Sequence, residues 1–228
     1  FARLVACLRA GKNVFVPSNC SIAEMEATKT LLREKLGDVL TDENHLVIHS
    51  KASRGAKDTM KDPNELWRGL RVLQLSPSGA MGVDFTVEHF DVVFAHFVTS
   101  SSTACGAHQT TGRVRNVADR EVHVHVAHAF KRDKNPRPET AEALQQHRKI
   151  VHGVTMRVVH ELWDADAQRF TPSPPEYRRL LELNLIEENR SKNDFTGELR
   201  GLVEHDGGHW RACTRPPSAP PNAGRTTE

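Results

Sequence analysis

The sequence is poor in cysteine, and its cysteines lie far apart. Cys7, Cys20, Cys105 and Cys213 are the only four, and no two of them form a C-x-x-C pair. This spacing does not fit a zinc finger, and a secreted disulfide scaffold would need a denser set in a shorter chain. We therefore expect a protein of a reducing compartment.

The sequence also lacks a strong excess of one charge and a long apolar run. Lys and Arg number 31 against 29 Asp and Glu, which gives a formal net charge of +2. Any contact with nucleic acid must therefore come from a local patch of the surface. No apolar run approaches the roughly 20 residues that span a bilayer, and no signal peptide is visible. The sequence thus predicts no membrane partner.

The usual lysine loop for nucleotide phosphates is missing as well. That loop reads G-x-x-x-x-G-K-[ST], whereas "LRAGKN" has Asn13 after Gly11 and Lys12, and Ala6 in place of the first glycine. No D-E-x-H box that would hold magnesium appears either. We expect that the chain alone does not hydrolyse ATP. Because the chain starts at Phe1 inside an apparent helix, we interpret it as a piece of a longer protein.

What is present is an alternation of short β-rich runs with helical stretches. The helix "SIAEMEATKTLLREKLG" has Ser21 as its cap, Glu24 to complete a capping box and Gly37 at its end. The polar stretch "KASRGAKDTMKDPNE" is predicted to be a loop, and "TACGAHQTTGR" a short helix. Five candidate strands are "NVFVPS", "HLVIHS", "RVLQLS", "DVVFAHF" and "EVHVHVAHAF". Strands separated by crossovers predict an α/β fold with a mostly parallel sheet covered on both faces.

The texture of the sequence changes after Phe130. A charged, Pro-broken linker is followed by "TAEALQQHRKIVHGVTMRVVHELW" and "YRRLLELNLIEENR", which are both predicted to be helices. The tail "TRPPSAPPNAGRTTE" is rich in proline and is predicted to be disordered. The predicted organisation is an α/β domain over 1–130, a helical extension over 131–212 and a disordered tail over 213–228.

The stretch "VLQLSPSGAMGVDF" has the composition of a phosphate-binding strand end. Small residues at the carboxyl end of a parallel strand leave backbone amides open to an anion. The hydroxyls of Ser76 and Ser78 can bond phosphate oxygens, and Asp84 can hold a ribose hydroxyl. A tight turn with a solvated aspartate is the plain alternative. Use of "SGAMG" by a Rossmann-type enzyme is a weaker one, since its glycines do not fit G-x-G-x-x-G.

A second segment with residues suited to phosphate chemistry is "HQTTGRVRN". Arg113 and Arg115 carry planar, permanently charged guanidinium groups, which suit the charge that develops on a transferred phosphoryl group. An arginine supplied across a domain interface can raise the rate of such a transfer by orders of magnitude. Gln109 could orient a water or contact the γ-phosphate. The alternative is a pair of surface arginines beside a helix end.

Three blocks in this order resemble motifs of a known family. "NVFVPSN" with the helix after it is similar to motif IV, "LSPSGAMGVDF" to motif V and "HQTTGRVRN" to motif VI of the second RecA-like domain of superfamily 2 helicases. More narrowly, the chain resembles the helicase portion of herpesvirus-type replication origin-binding proteins. The resemblance covers roughly residues 1–130 and implies a RecA-like sheet flanked by helices.

The resemblance also implies residue roles. Nucleic-acid backbone contacts would come from Ser18, Asn19, Ser76 and Ser78. Gly82, Asp84, Gln109 and Arg113 would face the nucleotide. Many superfamily 2 motifs place a second arginine at the position of Asn116, and Arg115 lies one residue before it. Thr110 stands where an arginine often follows the leading glutamine.

The function implied is one half of an ATP-driven motor that moves along or unwinds DNA. The expected location is the nucleus or another site inside the cell. ATP would bind between this domain and an N-terminal RecA-like domain, which would precede Phe1 and hold Mg²⁺. The alternative is a non-enzymatic helicase-like module that binds nucleic acid or protein. His123 and His125 share one face of a strand, but no carboxylate or cysteine stands directly beside them, so no metal site is predicted.

Overall fold

A computed structural model gives the structure of the chain. It describes residues 1–80, 82–127, 136–150, 161–164, 169–172 and 174–212. The helices are α1 Ala2–Arg9, α2 Ile22–Leu36, α3 Arg54–Asp58, α4 Pro63–Leu66, α5 Pro77–Ala80, α6 Ala104–Thr111, α7 Ala141–Ile150, α8 Pro175–Asn193 and α9 Phe195–His205, with 3₁₀ turns at Gly37–Val39 and Thr59–Lys61. The strands are β1 Val14–Pro17, β2 His45–Ile48, β3 Val72–Leu75, β4 Val92–Val98, β5 Val122–Ala127, β6 Glu161–Asp164 and β7 Arg169–Pro172.

Strands β1 to β5 form one sheet in the order β2-β3-β1-β4-β5. Every neighbouring pair in it is parallel. All four residues of β1 and of β3 are buried, as expected for central strands that are covered on both faces. The predicted α/β class, a RecA-like parallel sheet flanked by helices and followed by a helical region, is confirmed.

The core lies on both faces of this sheet. Val14 and Val16 pack with α1 and α2 on one face, whereas Phe15 packs with Trp67 and Phe85 on the other. This division follows from the alternation of side chains along a strand. A third cluster covers β4 and β5 and includes residues of α6 and α9. The C-terminal helices therefore complete the core of the sheet.

The predicted α2 is confirmed in detail. Its capping box is complete, because the Ser21 hydroxyl accepts from the Glu24 N–H at 3.3 Å and the Glu24 carboxylate accepts from the Ser21 N–H at 2.9 Å. The helix ends at Gly37, which has a φ of 54°. That positive φ favours glycine at this position.

Two local predictions were wrong. The stretch predicted to be a polar loop contains α3 and α4, which begin after the capping residues Ser53 and Asp62. Polar residues can form such short helices when each start has its own cap. The helix predicted across 140–163 is helical over Ala141–Ile150, but Glu161–Asp164 is a strand that pairs antiparallel with β7. Apolar spacing in a short run fits a helix and a strand about equally well, and the β6–β7 pairing decides here.

The predicted disordered tail lies outside the described residues. Across the part of the chain that the structure does describe, no helix is both long and apolar enough to cross a membrane.

Candidate functional site

The carboxyl ends of β1 and β3 bring two predicted nucleic-acid segments together. Pro17 and Leu75 are register partners at the ends of these strands, and the Ser18 N–H donates to the Leu75 carbonyl at 2.9 Å. Ser18 and Ser76 therefore follow neighbouring strands at the same edge of the sheet. The structure thus groups residues that are far apart in sequence.

Ser76 and Ser78 form a pair of hydroxyls at this edge. Their Oγ atoms lie 2.9 Å apart, with Ser76 buried and Ser78 exposed. Helix α5 begins between them at Pro77, which the sequence pattern did not indicate. A Cβ placed on Gly79 would lie 2.8 Å from Ile48 Cγ2, so this turn packs closely on the end of β2. Ser78 is therefore held on a rigid turn with its hydroxyl near solvent.

Ser18 and Asn19 lie deeper than Ser78. The Asn19 amide donates to the Val98 carbonyl at 3.1 Å and to the Ser102 hydroxyl at 2.9 Å, and its oxygen accepts from the Val98 N–H at 2.6 Å. Both residues are buried. Asn19 thereby joins the end of β1 to the end of β4, and its predicted contact with nucleic acid stays a prediction.

The segments around Asp84 and Arg113 pair directly through their backbones. The Phe85 N–H donates to the Arg113 carbonyl and the Arg115 N–H donates to the Phe85 carbonyl, each at 2.9 Å. Phe85 and Val114 form a parallel bridge. The Asn116 amide extends the contact by donating to the Thr86 carbonyl at 2.6 Å. The two blocks predicted to face a nucleotide are therefore one structural unit.

Asn116 is a residue whose function the sequence did not indicate. In the sequence it only occupies the position where many superfamily 2 motifs have a second arginine. In the structure its side chain joins the two paired segments. No local signal could have revealed this, because the acceptor lies 30 residues away.

The two arginines of this unit have different partners. Arg115 donates from Nε to Asp84 Oδ1 at 2.7 Å, and both side chains are about half exposed. Arg113 donates from Nη1 to the Val83 carbonyl at 3.4 Å, and its Nε is buried without a partner. Among the described residues, no carboxylate lies within ion-pair distance of Arg113. Within the part of the chain that the structure describes, its positive charge is therefore not neutralised by an acidic side chain.

Gln109 lies on the exposed side of α6, four residues before Arg113. Its amide is 3.5 Å from Cys105 Sγ. The helix begins at Thr103, whose hydroxyl accepts from the Gly106 N–H at 3.1 Å, and ends at Gly112. Thr110 is buried and donates to the Gly106 carbonyl at 2.8 Å. The position where an arginine often stands thus faces inward here.

Gly82 lies at the open end of the other segment. It has a φ of 74°, and a Cβ added there would meet no atom within 4 Å. The backbone is therefore accessible to a ligand. The carboxylate of Asp84, two residues after Gly82, accepts a hydrogen bond from Arg115 in this structure.

Histidines cluster at the β4–β5 end of the sheet. The rings of His96 and His125 are 5.1 Å apart, and those of Phe94 and His123 are 4.6 Å apart. Burial lowers the pKa of His96 and of His123 from the ordinary value. A carboxylate oxygen of Glu121, two residues before His123 in the sequence, lies 3.9 Å from His123 Nδ1. In the described ranges, no group of three or more His, Cys, Asp or Glu could hold a metal ion.

Comparison with known proteins adds distant relatives. The chain is 29% identical over 124 residues to a protein of Acanthamoeba polyphaga mimivirus named "Uncharacterized putative helicase R8". The aligned region covers 53% of this chain and 11% of that protein. It is 26% identical over 121 residues to the same virus's "Putative replication origin-binding protein". This aligned region covers 52% of this chain and 14% of that protein. The chain thus spans between about a tenth and a seventh of the length of these relatives.

No protein-family model matches the sequence. A solved structure, "Crystal structure of the C-terminal part of Fun30 ATPase domain", aligns with a TM-score of 0.33 and 11% identity over 89% of this chain and 51% of that chain. The sequence similarities reach helicase-like proteins at low identity and define no narrower group.

Proposed function

We propose that this chain is the second RecA-like half of an ATP-dependent DNA helicase or translocase of the replication origin-binding type. The observation that carries the proposal is the pairing of the Gly82–Thr86 segment with Arg113–Asn116, beside a guanidinium with no carboxylate partner among the residues that the structure describes. The mimivirus relatives, named as a putative helicase and a putative replication origin-binding protein, support the same direction. Replication of nuclear DNA would place the protein in the nucleus.

The residues present fit the phosphate end of ATP. Arg113 offers a permanently charged fork that no carboxylate of the described residues pairs with, and Gly82 adds no side chain that would obstruct an approach. Transfer of the γ-phosphoryl group to water is the chemistry that the nucleotide supplies when bound. Mg²⁺ and the phosphate-binding lysine would be held by an N-terminal RecA-like domain. Arg113 would stabilise the charge that develops on the phosphoryl oxygens, with Gln109 positioned to orient the water.

The nucleic-acid side of the proposal rests on the serine edge. Ser78 has an exposed hydroxyl, and Ser76 and Ser18 lie next to it at the ends of β3 and β1. Hydroxyls at this edge would donate to the phosphodiester backbone, which positions a strand without reading its sequence. The segment from Ser76 to Asp84 joins this edge to the proposed nucleotide side. A change at the phosphates would therefore reach the strand contacts over a short length of chain.

The decisive experiment compares the isolated chain with the full product of its native gene. The isolated chain is expected to bind single-stranded DNA in fluorescence anisotropy and to turn over no ATP in a coupled assay. DNA-stimulated ATP turnover by the isolated chain would contradict the proposal. A native gene without a G-x-x-x-x-G-K-[ST] strand-loop upstream of Phe1 would favour the alternative, a non-enzymatic binding module.

A further inference from the structure

We propose that α8 and α9 position the helix that carries Gln109 and leads into Arg113. In this role Ser191 and Leu199 are positioning residues for the proposed nucleotide site. The inference rests on the proposed function for its effect on ATP turnover, but its structural part concerns contacts of this chain alone. The two helices are called the α8–α9 unit below.

The first contact is at the start of α6. The initial N–H groups of a helix have no partner within the helix. Thr103 satisfies one of them, at Gly106. The Ala104 N–H instead donates to the Ser191 hydroxyl of α8 at 3.0 Å, and both residues are buried. A residue 87 positions away therefore completes the cap of α6.

The second contact runs along the buried face of α6. Ala104 and Ala107 pack in one cluster with Phe195 and Leu199 of α9. Phe195 also lies against Phe97 of β4, with ring centroids 6.2 Å apart. The small alanines let α9 approach closely, so α9 packs against both α6 and the sheet. A third contact brings His108 Nε2 within 3.5 Å of Asp206 Oδ2 just after α9.

The α8–α9 unit is itself well fixed. Asp194 caps α9 by accepting from the Gly197 N–H at 3.0 Å. The Asn193 amide donates to the Arg137 carbonyl and its oxygen accepts from the Arg137 N–H, each at 3.0 Å. Asn189 donates to the Pro138 carbonyl at 2.7 Å. These contacts fix the start of α9 and tie α8 to Arg137 and Pro138, so we expect the position of α6 to follow that of the unit.

The consequence concerns the end of α6. Gln109 lies in its last turn, and Arg113 follows directly after Gly112. Only Gly112 separates α6 from Arg113, whose carbonyl accepts from the Phe85 N–H, so a shift of α6 is expected to change how Arg113 faces Gly82. Three separate contacts from the α8–α9 unit thus hold the helix that leads to both nucleotide-facing side chains.

The structural test measures amide hydrogen exchange in α6 by mass spectrometry on this chain. Ser191→Ala removes the acceptor of the Ala104 N–H and should speed exchange in α6 by roughly fivefold, the effect of one lost hydrogen bond. Exchange in α2 should not change. Ser191→Thr keeps a hydroxyl and should restore protection, and Leu183→Ala, on an exposed position of α8, is the matched control. Unchanged exchange in α6, or equal acceleration in α2, would overturn the proposal.

Leu199→Ala gives a second variant that keeps every hydrogen bond. It should raise the labelling rate of Cys105, which lies in α6, by a maleimide reagent more than that of Cys20. If neither variant changes α6, the α8–α9 unit does not position it. In the full native protein, Ser191→Ala should lower kcat for ATP by roughly tenfold with little change in KM, because a displaced group stabilises the transition state less. Absence of DNA-stimulated ATP turnover in the full native protein would refute the proposed function alone, since the exchange result does not depend on it.

Discussion

Arg115 and Asp84, which are 31 residues apart in sequence, form an ion pair in which Nε lies 2.7 Å from Oδ1. The pair lies directly beside the backbone bridge between Phe85 and Val114. Arg113, two residues earlier, has no such carboxylate among the described residues. The two arginines look equivalent in the sequence, but only Arg115 has an acidic partner among the described residues. We propose the catalytic role for Arg113, because Arg115 already holds Asp84 in the structure.

The first prediction concerns this division of roles in the full native protein. Arg113→Ala should lower ATP turnover by roughly a thousandfold, because a missing arginine finger costs that much in phosphoryl transfer. Its affinity for DNA in fluorescence anisotropy should change little. Arg115→Ala is the matched control and should retain far more activity. Normal turnover in Arg113→Ala would end its assignment as a finger.

A second prediction concerns the serine edge. Ser78→Ala should weaken binding of a fluorescent single-stranded oligonucleotide by roughly fivefold, since one hydrogen bond to a charged phosphate is lost. The salt dependence of binding should stay the same, because a neutral hydroxyl releases no counterion. Ser76→Ala should act in the same direction through its contact with Ser78. Thr30→Ala, an exposed position on α2, should bind like the parent chain.

The third prediction concerns the tight packing of α5. Gly79→Ala places a Cβ 2.8 Å from Ile48 Cγ2. The free energy of unfolding should fall by about 1–3 kcal/mol, the usual cost of overpacking. Urea denaturation followed by tryptophan fluorescence measures this change. Gly55→Ala, within α3 and with open space around it, should be neutral or slightly stabilising. Equal effects at the two positions would contradict the packing argument.

Acid sensitivity provides the fourth prediction. Burial lowers the pKa of His45 from 6.5 to about 3, so the native state holds this imidazole neutral. The unfolded state takes up a proton near the ordinary pKa. Stability from this group is therefore complete above about pH 6.5 and is lost as the pH falls, by at most about 1.4 kcal/mol per pH unit.

The measurement is urea denaturation between pH 5 and 7. His45→Gln should flatten the loss of stability over that range, because glutamine does not titrate. His205→Gln, at an exposed position, should leave the pH dependence as it is in the parent chain. An unchanged pH dependence in His45→Gln would assign the acid sensitivity to other groups, such as His96 and His123, whose pKa values burial also lowers.

Part of the fold could be predicted from short stretches of the sequence. The strand "NVFVPS" and the helix capped by Ser21 and Glu24 were predicted because their signals lie within a few neighbouring residues. The end of the predicted helix near Leu162 was wrong, because its apolar spacing suits a strand once β7 is available as a partner. The predicted site residues were chosen by residue type and order, and their roles stay predictions.

The sequence by itself determined the alternation of strands and helices, the helix caps and the residue types placed at each strand end. These depend on steric and hydrogen-bonding preferences that act between near neighbours. Only the tertiary structure decided that Phe85 pairs with Val114, that Asp84 pairs with Arg115 and not with Arg113, and that Ser191 completes the cap of α6. Each of these contacts joins residues far apart in the chain, so it exists only where packing of the whole core brings them together.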